Sequence, residues 1–378
     1  MVTKTAVAVQ RGREVEAMVQ KALEMLGGVE ELVPYRSRVL VKPNLVMEEP
    51  HSSGATTNPR VLEGILQELQ KTLPREVVVG EGSAAVASTE KAFRVSGLDK
   101  VAEQFGAQVK DLKKGPFEKL KVPGGRELQE VQVARPLLEA EVVINLPVLK
   151  VHAQTKVTAA LKNLKGCIHD QEKKRFHRLN LEQCIVDLNQ VIPVHLIILD
   201  ATLCSFAWEG GGSPVPMDTI LAGTNPVAVD GIAAPIMGYC PEEIEHLRLA
   251  GEQGMGPLNR ERIKVYNEEA LDAAPLTERV EGLPSYEVKG LQVVEKGTCT
   301  PCMGGHLAAL RRLNKEGAVL PGTVFLGQLL EEEDLKQGKG TLLGVGNCGA
   351  SLVGKENSVS GCPPEGRGIY EFYKEKAR

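Results

Sequence analysis

Aromatic side chains are scarce in this sequence, at 4% of 378 residues, so the chain offers no stacking platform for single-stranded nucleic acid. Long apolar segments are missing too, because no run reaches the roughly 20 consecutive apolar residues that a membrane-spanning helix needs. The N-terminal segment lacks the apolar core and the small-residue cleavage site of a signal peptide. We therefore expect a cytoplasmic protein that binds neither nucleic acid nor membranes.

A disulfide framework is also unexpected, although the chain has eight cysteines, because a cytoplasmic protein uses its thiols for metal or redox chemistry. We identify no Gly-x-Gly-x-x-Gly fingerprint of dinucleotide binding in the chain, so a standard Rossmann site for NAD or FAD is not expected. The remaining composition is that of a globular protein, with 42% hydrophobic residues, 25% charged residues and a net charge of −4.

Short apolar runs alternate with segments of helical periodicity along the region 1–267. Thr5–Val9, Arg38–Lys42 and Glu76–Gly80 are typical of buried strands, and Arg13–Leu26 repeats apolar residues at helical spacing. This alternation predicts an α/β fold, a mostly parallel sheet flanked by helices. The predicted organisation is a core domain (1–267), a linker (268–290) and a smaller C-terminal α/β cysteine-ligand unit (291–378).

The most basic part of the chain follows another predicted strand, Val142–Leu146. From Lys150 to Arg178 there are eight Lys or Arg and two acidic residues, a local balance of +6. Open α/β sheets bind ligands in the crevice at the carboxyl ends of their strands. The position therefore predicts a basic crevice for a small anionic substrate. The basic run Lys173–Arg175 is either a solvated loop or a lid over this crevice.

Three residues directly after this strand are candidates for the site: Lys150, His152 and Lys156, at i, i+2 and i+6. Lysine is a compact charge suited to phosphate or carboxylate. His152 is a candidate general acid or base because imidazole titrates near neutral pH. The alternative is a solvated loop that contains a histidine by chance.

Further anion contacts are predicted on both sides of this stretch. Lys162 and Asn163 are placed on a helix that begins around residues 155–158, whose first amides would attract an anion. Lys42 and Asn44 follow an earlier strand and form a second candidate contact. The alternative for the helix is an ordinary exposed face.

Asp200 and Glu81 end apolar strands. Such carboxylates either cap a following helix, or bind a substrate hydroxyl or metal, or act as a general base. Asp230 is predicted to cap neighbouring amides or to pack against a lysine. The predicted catalytic set is His152, Lys150 and Asp200, and the predicted substrate-binding set is Lys42, Asn44, Lys156, Lys162, Asn163 and Glu81.

The C-terminal region 291–378 contains four cysteines that lie close to predicted strand ends. The predicted strands are Leu291–Glu295, Thr323–Leu326 and Thr341–Val345, with a helix at Gly305–Leu313. If these strands are parallel, their carboxyl ends bring the thiolates to one edge of the sheet. The predicted metal ligands are Cys299, Cys302, Cys348 and Cys362.

A Cys-x-x-Cys pair with two remote cysteines suits either zinc or an iron–sulfur cluster. The proline after Cys362 and the glycines near the other ligands favour a [4Fe-4S] cluster, because proline removes a competing amide and glycine lets backbone approach inorganic sulfide. A zinc ribbon would more often contain a second Cys-x-x-Cys. Zinc and metal-free redox thiols remain open as alternatives to the cluster.

Cys167 and Cys204, near the basic centre, are candidates for a reactive thiol.

Five motifs between residues 35 and 257 together resemble the family known as domain of unknown function 362. The resemblance implies a cytoplasmic α/β protein linked to iron–sulfur chemistry, without an agreed reaction. The C-terminus departs from the commoner family pattern, since it lacks the tight cysteine run of a ferredoxin module. The motifs are Lys42-Pro43-Asn44-Leu45, Gly80-Glu81-Gly82-Ser83, Lys150-x-His152 with Val157-Thr158-x-Ala160-x-Lys162-Asn163-x-x-Gly166, Asp200-Ala201, and Gly223-Thr224-Asn225-Pro226-Val227-Ala228-Val229-Asp230.

These observations favour an iron–sulfur oxidoreductase in which a [4Fe-4S] cluster passes electrons to a small anionic substrate. One alternative is an electron-transfer or cluster-carrier protein that docks an acidic partner through its basic stretch. Another is a non-redox enzyme with a structural zinc site. The expected partners are the substrate and a redox protein such as a ferredoxin, with a homo-oligomer left open.

Overall fold

The computed structural model divides the chain into two compact units, residues 1–173 with 180–280 and residues 174–179 with 281–378. Lys174–Leu179 thus groups with the second unit, whereas the sequence places it in the core domain. Most of the predicted linker, 268–290, lies outside the described residues. The structure describes residues 5–85, 87–152, 154–206, 209–211, 214–272, 288–298, 300–364 and 366–377.

The first unit contains a ten-stranded sheet and a separate two-stranded hairpin. Its strands are β1 (Ala6–Arg11), β2 (Arg38–Lys42), β3 (Glu76–Glu81), β4 (Gln108–Asp111), β5 (Phe117–Lys121), β6 (Glu130–Ala134), β7 (Val142–Asn145), β8 (Val148–His152), β9 (Lys156–Thr158), β10 (Leu196–Ser205), β11 (Pro214–Gly223) and β12 (Lys264–Tyr266). The main path of the large sheet runs β12-β1-β11-β10-β7-β2-β3-β4, and β8 pairs with β10 and β9.

Helices cover this sheet and that of the second unit. They are α1 (Val15–Met25), α2 (Val29–Leu32), α3 (Pro59–Leu69), α4 (Thr89–Ser96), α5 (Leu98–Gln104), α6 (Arg135–Glu139), α7 (Ala160–Asn163), α8 (Asp170–Phe176), α9 (Leu181–Asn189), α10 (Pro226–Ala233), α11 (Glu245–Glu252), α12 (Glu269–Asp272), α13 (Thr300–Lys315), α14 (Gly346–Val353) and α15 (Gly366–Lys376). Among the described residues, no helix is both long and apolar enough to cross a membrane.

The centre of the large sheet is parallel: β4, β3, β2, β7 and β10 run in one direction. All four residues of β7 are buried, as the continuous apolar run predicts for a strand covered on both faces. The apolar faces of α1 and α3 pack into the core below these strands. The predicted α/β fold, a mostly parallel sheet flanked by helices, is confirmed, with antiparallel β11 and β9 added to it.

One local prediction in this unit is wrong. Residues 156–158 form β9, which folds back antiparallel on β8, and the helix begins only at Ala160. Lys156 takes φ of +60° at the start of β9. Hairpin pairing with Lys150–His152 therefore overrides the helical pattern of this segment.

The second unit is a four-stranded parallel sheet whose spatial order equals its order in sequence. Its strands are β13 (Lys289–Glu295), β14 (Val319–Leu326), β15 (Thr341–Val345) and β16 (Ser358–Val359). The predicted parallel direction is confirmed in every pair. The first helix is longer than predicted, because α13 starts at Thr300 rather than Gly305 and so includes Cys302 in its first turn.

Candidate functional site

The carboxyl ends of β2 and β3 bring a buried ion pair together in the first unit. Lys42 Nζ lies 2.7 Å from Glu81 Oε2, and both side chains are at most 3% exposed. Lys42 also donates to the carbonyl of Pro43, and the amide of Gly82 donates to Glu81 Oε1 at 2.7 Å. The two charges neutralise each other inside the protein. Lys42 and Glu81 are therefore better suited to hold neighbouring groups in place than to bind a substrate separately.

Lys150 lies on β8 and is as deeply buried, at 1% exposed. Its Nζ donates to Asn44 Oδ1 at 2.9 Å and to the carbonyl of Ala55 at 2.5 Å. Burial and then the nearby charge of Lys162 lower the pKa of Lys150 to about 7. Burial likewise lowers the pKa of half-buried Lys162 to about 8. These two lysines are thus poised between charged and neutral forms near neutral pH.

A chain of asparagine amides supports Lys150. Asn44 donates from Nδ2 to Asn163 Oδ1 at 2.7 Å, and Asn163 donates from Nδ2 to Asn145 Oδ1 at 2.7 Å. Asn145 in turn donates to the carbonyl of Ala160 at 2.9 Å. The amides connect β2, β7 and α7, so the predicted residues Asn44 and Asn163 do meet at one place. Asn145, the last residue of β7, was not predicted.

His152 lies two residues after Lys150 on β8, and side chains at this spacing project from the same face of a strand. Its Nδ1 accepts from the amides of Gln154 and Thr155 at 3.1 and 3.2 Å, which assigns the proton of the neutral ring to Nε2. That Nε2 lies 3.7 Å from Oε1 of Glu209, and both side chains are 2% exposed. Glu209 was missed, although an acid before three consecutive glycines is a visible feature of the sequence.

We define the lysine–histidine cluster as Lys42, Glu81, Lys150, His152, Lys162 and Glu209. The electrostatic influence of Lys42, Glu81, Lys162 and Glu209 on Lys150 ties these residues to one region. It contains three lysines, one histidine and two carboxylates. The lysines of this cluster are therefore accompanied by two carboxylates, and Lys42 and Lys150 are buried.

Asn44 and Asn163 support this cluster through hydrogen bonds, whereas two other predicted site residues, Lys156 and Asp200, are not joined to it by any hydrogen bond described above. Lys156 is exposed and donates from Nζ to the carbonyl of Glu243 at 2.7 Å. Asp200 is buried, and its carboxylate accepts from the amide of Asn58 at 2.8 Å and from the amide and hydroxyl of Thr202. Asn58 is the N-cap of α3, so Asp200 fixes the start of that helix. Asp200 thus supports a helix terminus, although α3 precedes it in the chain rather than follows it, and burial raises the pKa of Asp200.

The first amides of α7 are paired with a carboxylate of the chain itself. The carboxylate of Asp230 accepts from the amides of Ala160 and Leu161 at 2.7 and 3.0 Å. Burial raises the pKa of Asp230 to about 6 despite these hydrogen bonds. Asp230 thus caps amides as predicted, but on a helix 70 residues earlier in the chain.

Lys173 is not part of a solvated loop. It is buried, and its Nζ donates to the carbonyls of Gly82 and Ser83 at 3.0 and 2.8 Å and to Asp170 at 3.0 Å. Burial lowers the pKa of Lys173. The residue closes the turn that follows β3, so the solvated-loop alternative is wrong for this lysine.

Cys167 and Cys204 are core thiols. Both are fully buried, and burial raises the pKa of Cys167 to about 12 and that of Cys204 further above its usual range. A reactive cysteine needs a thiolate near neutral pH. The structure therefore does not support a nucleophilic role for either one.

The second unit brings three cysteine-bearing segments to the carboxyl edge of its parallel sheet. A Cβ atom built on Gly346 would lie 3.4 Å from Sγ of Cys302 and 3.6 Å from the carbonyl of Gly361. The amide of Asn347 donates to that carbonyl at 2.9 Å, and Asn347 Oδ1 accepts from the amide of Gly361 at 2.8 Å. Asn347 precedes Cys348 and Gly361 precedes Cys362, so three of the four predicted ligands belong to segments that touch.

The fourth predicted ligand, Cys299, lies outside the described residues. Within the described ranges, no group of three or more His, Cys, Asp or Glu side chains is arranged to hold a metal ion. Cys302 is buried, Cys348 is intermediate and Cys362 is exposed. We name the region formed by Cys302, Gly346–Cys348 and Gly361–Cys362 the thiol edge.

The expectation that the chain lacks a Gly-x-Gly-x-x-Gly sequence is wrong, because one lies at the thiol edge. Gly344-Val345-Gly346-Asn347-Cys348-Gly349 is a Gly-x-Gly-x-x-Gly sequence, and it spans the junction of β15 and α14. A Cβ on Gly349 would lie 2.5 Å from the carbonyl of Phe325, so this glycine permits close packing of helix on strand. Gly346 has φ of +76°, which a glycine adopts without strain. The pattern places Cys348 on a tight strand-to-helix turn.

Comparison with known proteins gives a match along the first unit. The model of a family described as a domain of unknown function, DUF362, matches residues 39–235. A thylakoid-associated protein of Synechocystis sp. is 26% identical over 251 residues, which are 64% of this chain and 75% of that protein.

Two solved structures are similar at 12% sequence identity. One is a Thermotoga maritima protein from a structural genomics consortium, with a TM-score of 0.43 over 84% of this chain and 71% of that one. The other is the lactate racemase apoprotein of Thermoanaerobacterium thermosaccharolyticum, with a TM-score of 0.42 over 86% of this chain and 69% of that one.

Proposed function

The chain belongs to the DUF362 family, and we propose that it is an iron–sulfur oxidoreductase that acts on a small anionic substrate. In this proposal Cys302, Cys348 and Cys362, with Cys299, hold a [4Fe-4S] cluster. The observation that carries the proposal is the contact between the Cys302, Gly346 and Gly361 segments at the thiol edge. When bound, such a cluster supplies one-electron transfer.

The chemistry of the thiol edge fits an iron–sulfur cluster better than zinc. Gly346 places backbone without a side chain beside Cys302, and such a glycine would let the backbone approach inorganic sulfide next to this ligand. Pro363 directly after Cys362 contributes no amide hydrogen there. Structural zinc sites close on four thiolates without needing this space.

The residues of the lysine–histidine cluster would bind the substrate and move protons. Lys150 and Lys162 have lowered pKa values, so an anion beside them would favour their charged forms and be bound in return. His152 presents Nε2–H, a proton that it can donate to the substrate. The Lys42–Glu81 pair and the asparagine amides keep these groups in place.

The burial of these groups favours an enzyme over an electron carrier that docks an acidic partner. A docking surface must be exposed, whereas Lys42 and Lys150 are 0% and 1% exposed. A redox protein such as a ferredoxin is the proposed electron partner, and the need for reduced thiols fits the cytoplasm.

Metal analysis tests this proposal. Protein purified without oxygen is expected to be brown, with broad absorbance near ~400 nm and about four iron and four sulfide per chain. Zinc in a colourless protein with full thiol-edge occupancy would contradict it, and would leave the non-redox alternative with a structural metal.

A further inference from the structure

Two equally buried lysines of the first unit differ in the charge of their hydrogen-bond acceptors. Lys42 is 0% exposed and contacts the carboxylate of Glu81 at 2.7 Å. Lys150 is 1% exposed, but both acceptors of its Nζ are uncharged: the amide oxygen of Asn44 and the carbonyl of Ala55. A carboxylate partner stabilises the ammonium form, and neutral oxygen acceptors do so much less. The surroundings of Lys150 therefore suit a neutral amine, in contrast to those of Lys42.

Each lysine donates to two acceptors, so the difference between them lies in the charge of the acceptors and not in their number. An ammonium group has three hydrogens to donate, whereas a neutral amine has two hydrogens and one lone pair. Two acceptors, at 2.9 and 2.5 Å, use both hydrogens of a neutral Lys150 and leave its lone pair for another atom. A neutral amine with a directed lone pair is a nucleophile.

The two largest influences on the pKa of Lys150 act in the same direction, although Glu209 and Glu81 raise this pKa to a smaller extent. Burial is the largest cause that lowers its pKa, and Lys162 is the second. A lysine activated by burial and a neighbouring cation is the usual arrangement for attack on a carbonyl group. His152, two residues along the same strand face, provides a proton donor at Nε2, with Glu209 3.7 Å from that atom.

We propose that Lys150 forms a Schiff base with the carbonyl carbon of its substrate, which makes the substrate class a small oxo acid. This inference rests on the proposed function for the presence of an anionic substrate at the lysine–histidine cluster. It adds a covalent step and a carbonyl group to that substrate. Lys162 would bind the carboxylate, since it carries the neighbouring positive charge.

The step balances without an oxidant or reductant. The Lys150 lone pair attacks the carbonyl carbon, a C–N bond forms, and the electron pair of the C=O bond moves to oxygen. The carbinolamine then loses water, for which His152 Nε2–H protonates the leaving oxygen. The amine nitrogen gives up its two hydrogens overall, one of which restores His152, so that one imine and one water are formed.

Reductive trapping tests this inference on the full chain, purified without oxygen. The protein is incubated with glyoxylate and cyanoborohydride, and each lysine is mapped by mass spectrometry. We expect Lys150 to be modified at least about ten-fold faster at pH 7 than exposed Lys336, with a rise in rate centred near ~7 rather than ~10.5.

Two variants and one internal control sharpen the result. Buried, ion-paired Lys42 should stay unmodified. Lys150→Arg should remove the adduct, and Asn44→Asp should slow its formation at pH 7 about ten-fold or more, since a carboxylate then stabilises the Lys150 ammonium. Circular dichroism checks that both variants fold.

The outcomes separate this inference from the proposed function. An unmodified Lys150, or one modified no faster than Lys336, overturns the Schiff base even if the protein contains its cluster. An adduct at Lys150 in a protein without iron supports the covalent step and refutes the redox proposal.

Discussion

Replacement of Gly166 by alanine is expected to lower the free energy of unfolding of the first unit by about 3–5 kcal/mol, the usual cost of breaking a buried ion pair on one side. A Cβ atom at this position would lie 1.8 Å from Oε1 of Glu81 and 2.8 Å from Nζ of Lys42. One partner must therefore move, and neither has solvent to move into, since the side chains are 0% and 3% exposed.

The backbone cannot easily give way instead. A Cβ on Gly82 would lie 2.6 Å from the carbonyl of Gly166, so the two segments already pack backbone to backbone. The Gly82 turn is also fixed by Lys173, whose Nζ donates to the carbonyl of Gly82. The Lys42–Glu81 ion pair of the lysine–histidine cluster therefore requires a glycine at position 166.

Hydrogen exchange of peptides that contain β2 and β3, followed in urea, measures this effect within the first unit. Gly231→Ala is the matched control: Gly231 lies on α10, and a Cβ there would come no closer than 3.8 Å to its neighbours. This control should be neutral or stabilising by about 0.5–1 kcal/mol. Equal protection in both variants would show that the Lys42–Glu81 pair is not sterically locked by Gly166.

The second large effect concerns the exposed cysteines. Cys362→Ser should reduce the iron content of anaerobically purified protein about ten-fold, because a hydroxyl is a poor ligand where a thiolate is required. Cys240→Ser serves as control, since Cys240 is likewise exposed but belongs to the first unit. Neither substitution removes a buried side chain, so loss of iron cannot be attributed to unfolding of a core.

Iron and sulfide analysis with visible absorbance distinguishes the variants. Equal iron in Cys362→Ser and Cys240→Ser would remove Cys362 from the ligand set. Loss of iron from both would point to a cluster bound elsewhere in the chain.

The sequence predicted those parts of the fold that depend on local pattern. The buried run of β7 and the strands of the C-terminal unit are continuous apolar segments, and these fold as predicted. The segment at 156–158 was mispredicted because its pairing with β8 is a tertiary contact that helical spacing does not encode.

The sequence predicted which residues belong to the candidate site better than it predicted how they are arranged. Asn44, Lys150 and Asn163 are joined by hydrogen bonds, although they come from the end of β2, from within β8 and from α7. Which cation pairs with which acid depends on strand order, however, and this order is not readable from one sequence.

Some partners are too distant in sequence to be foreseen. Asp200 pairs with an amide 142 residues earlier and Asp230 with one 70 residues earlier. A carboxylate at a strand end or on a helix has the same local pattern whether it caps a helix or meets a substrate. Only the packed fold separates the two roles.

The most direct test of the account is a crystal structure of anaerobically purified protein, with diffraction data collected on both sides of the iron absorption edge. We predict one anomalous peak of a four-iron cluster at the thiol edge, within bonding distance of Cys299, Cys302, Cys348 and Cys362. No iron peak there, or a peak that appears only at the zinc edge, would contradict the account.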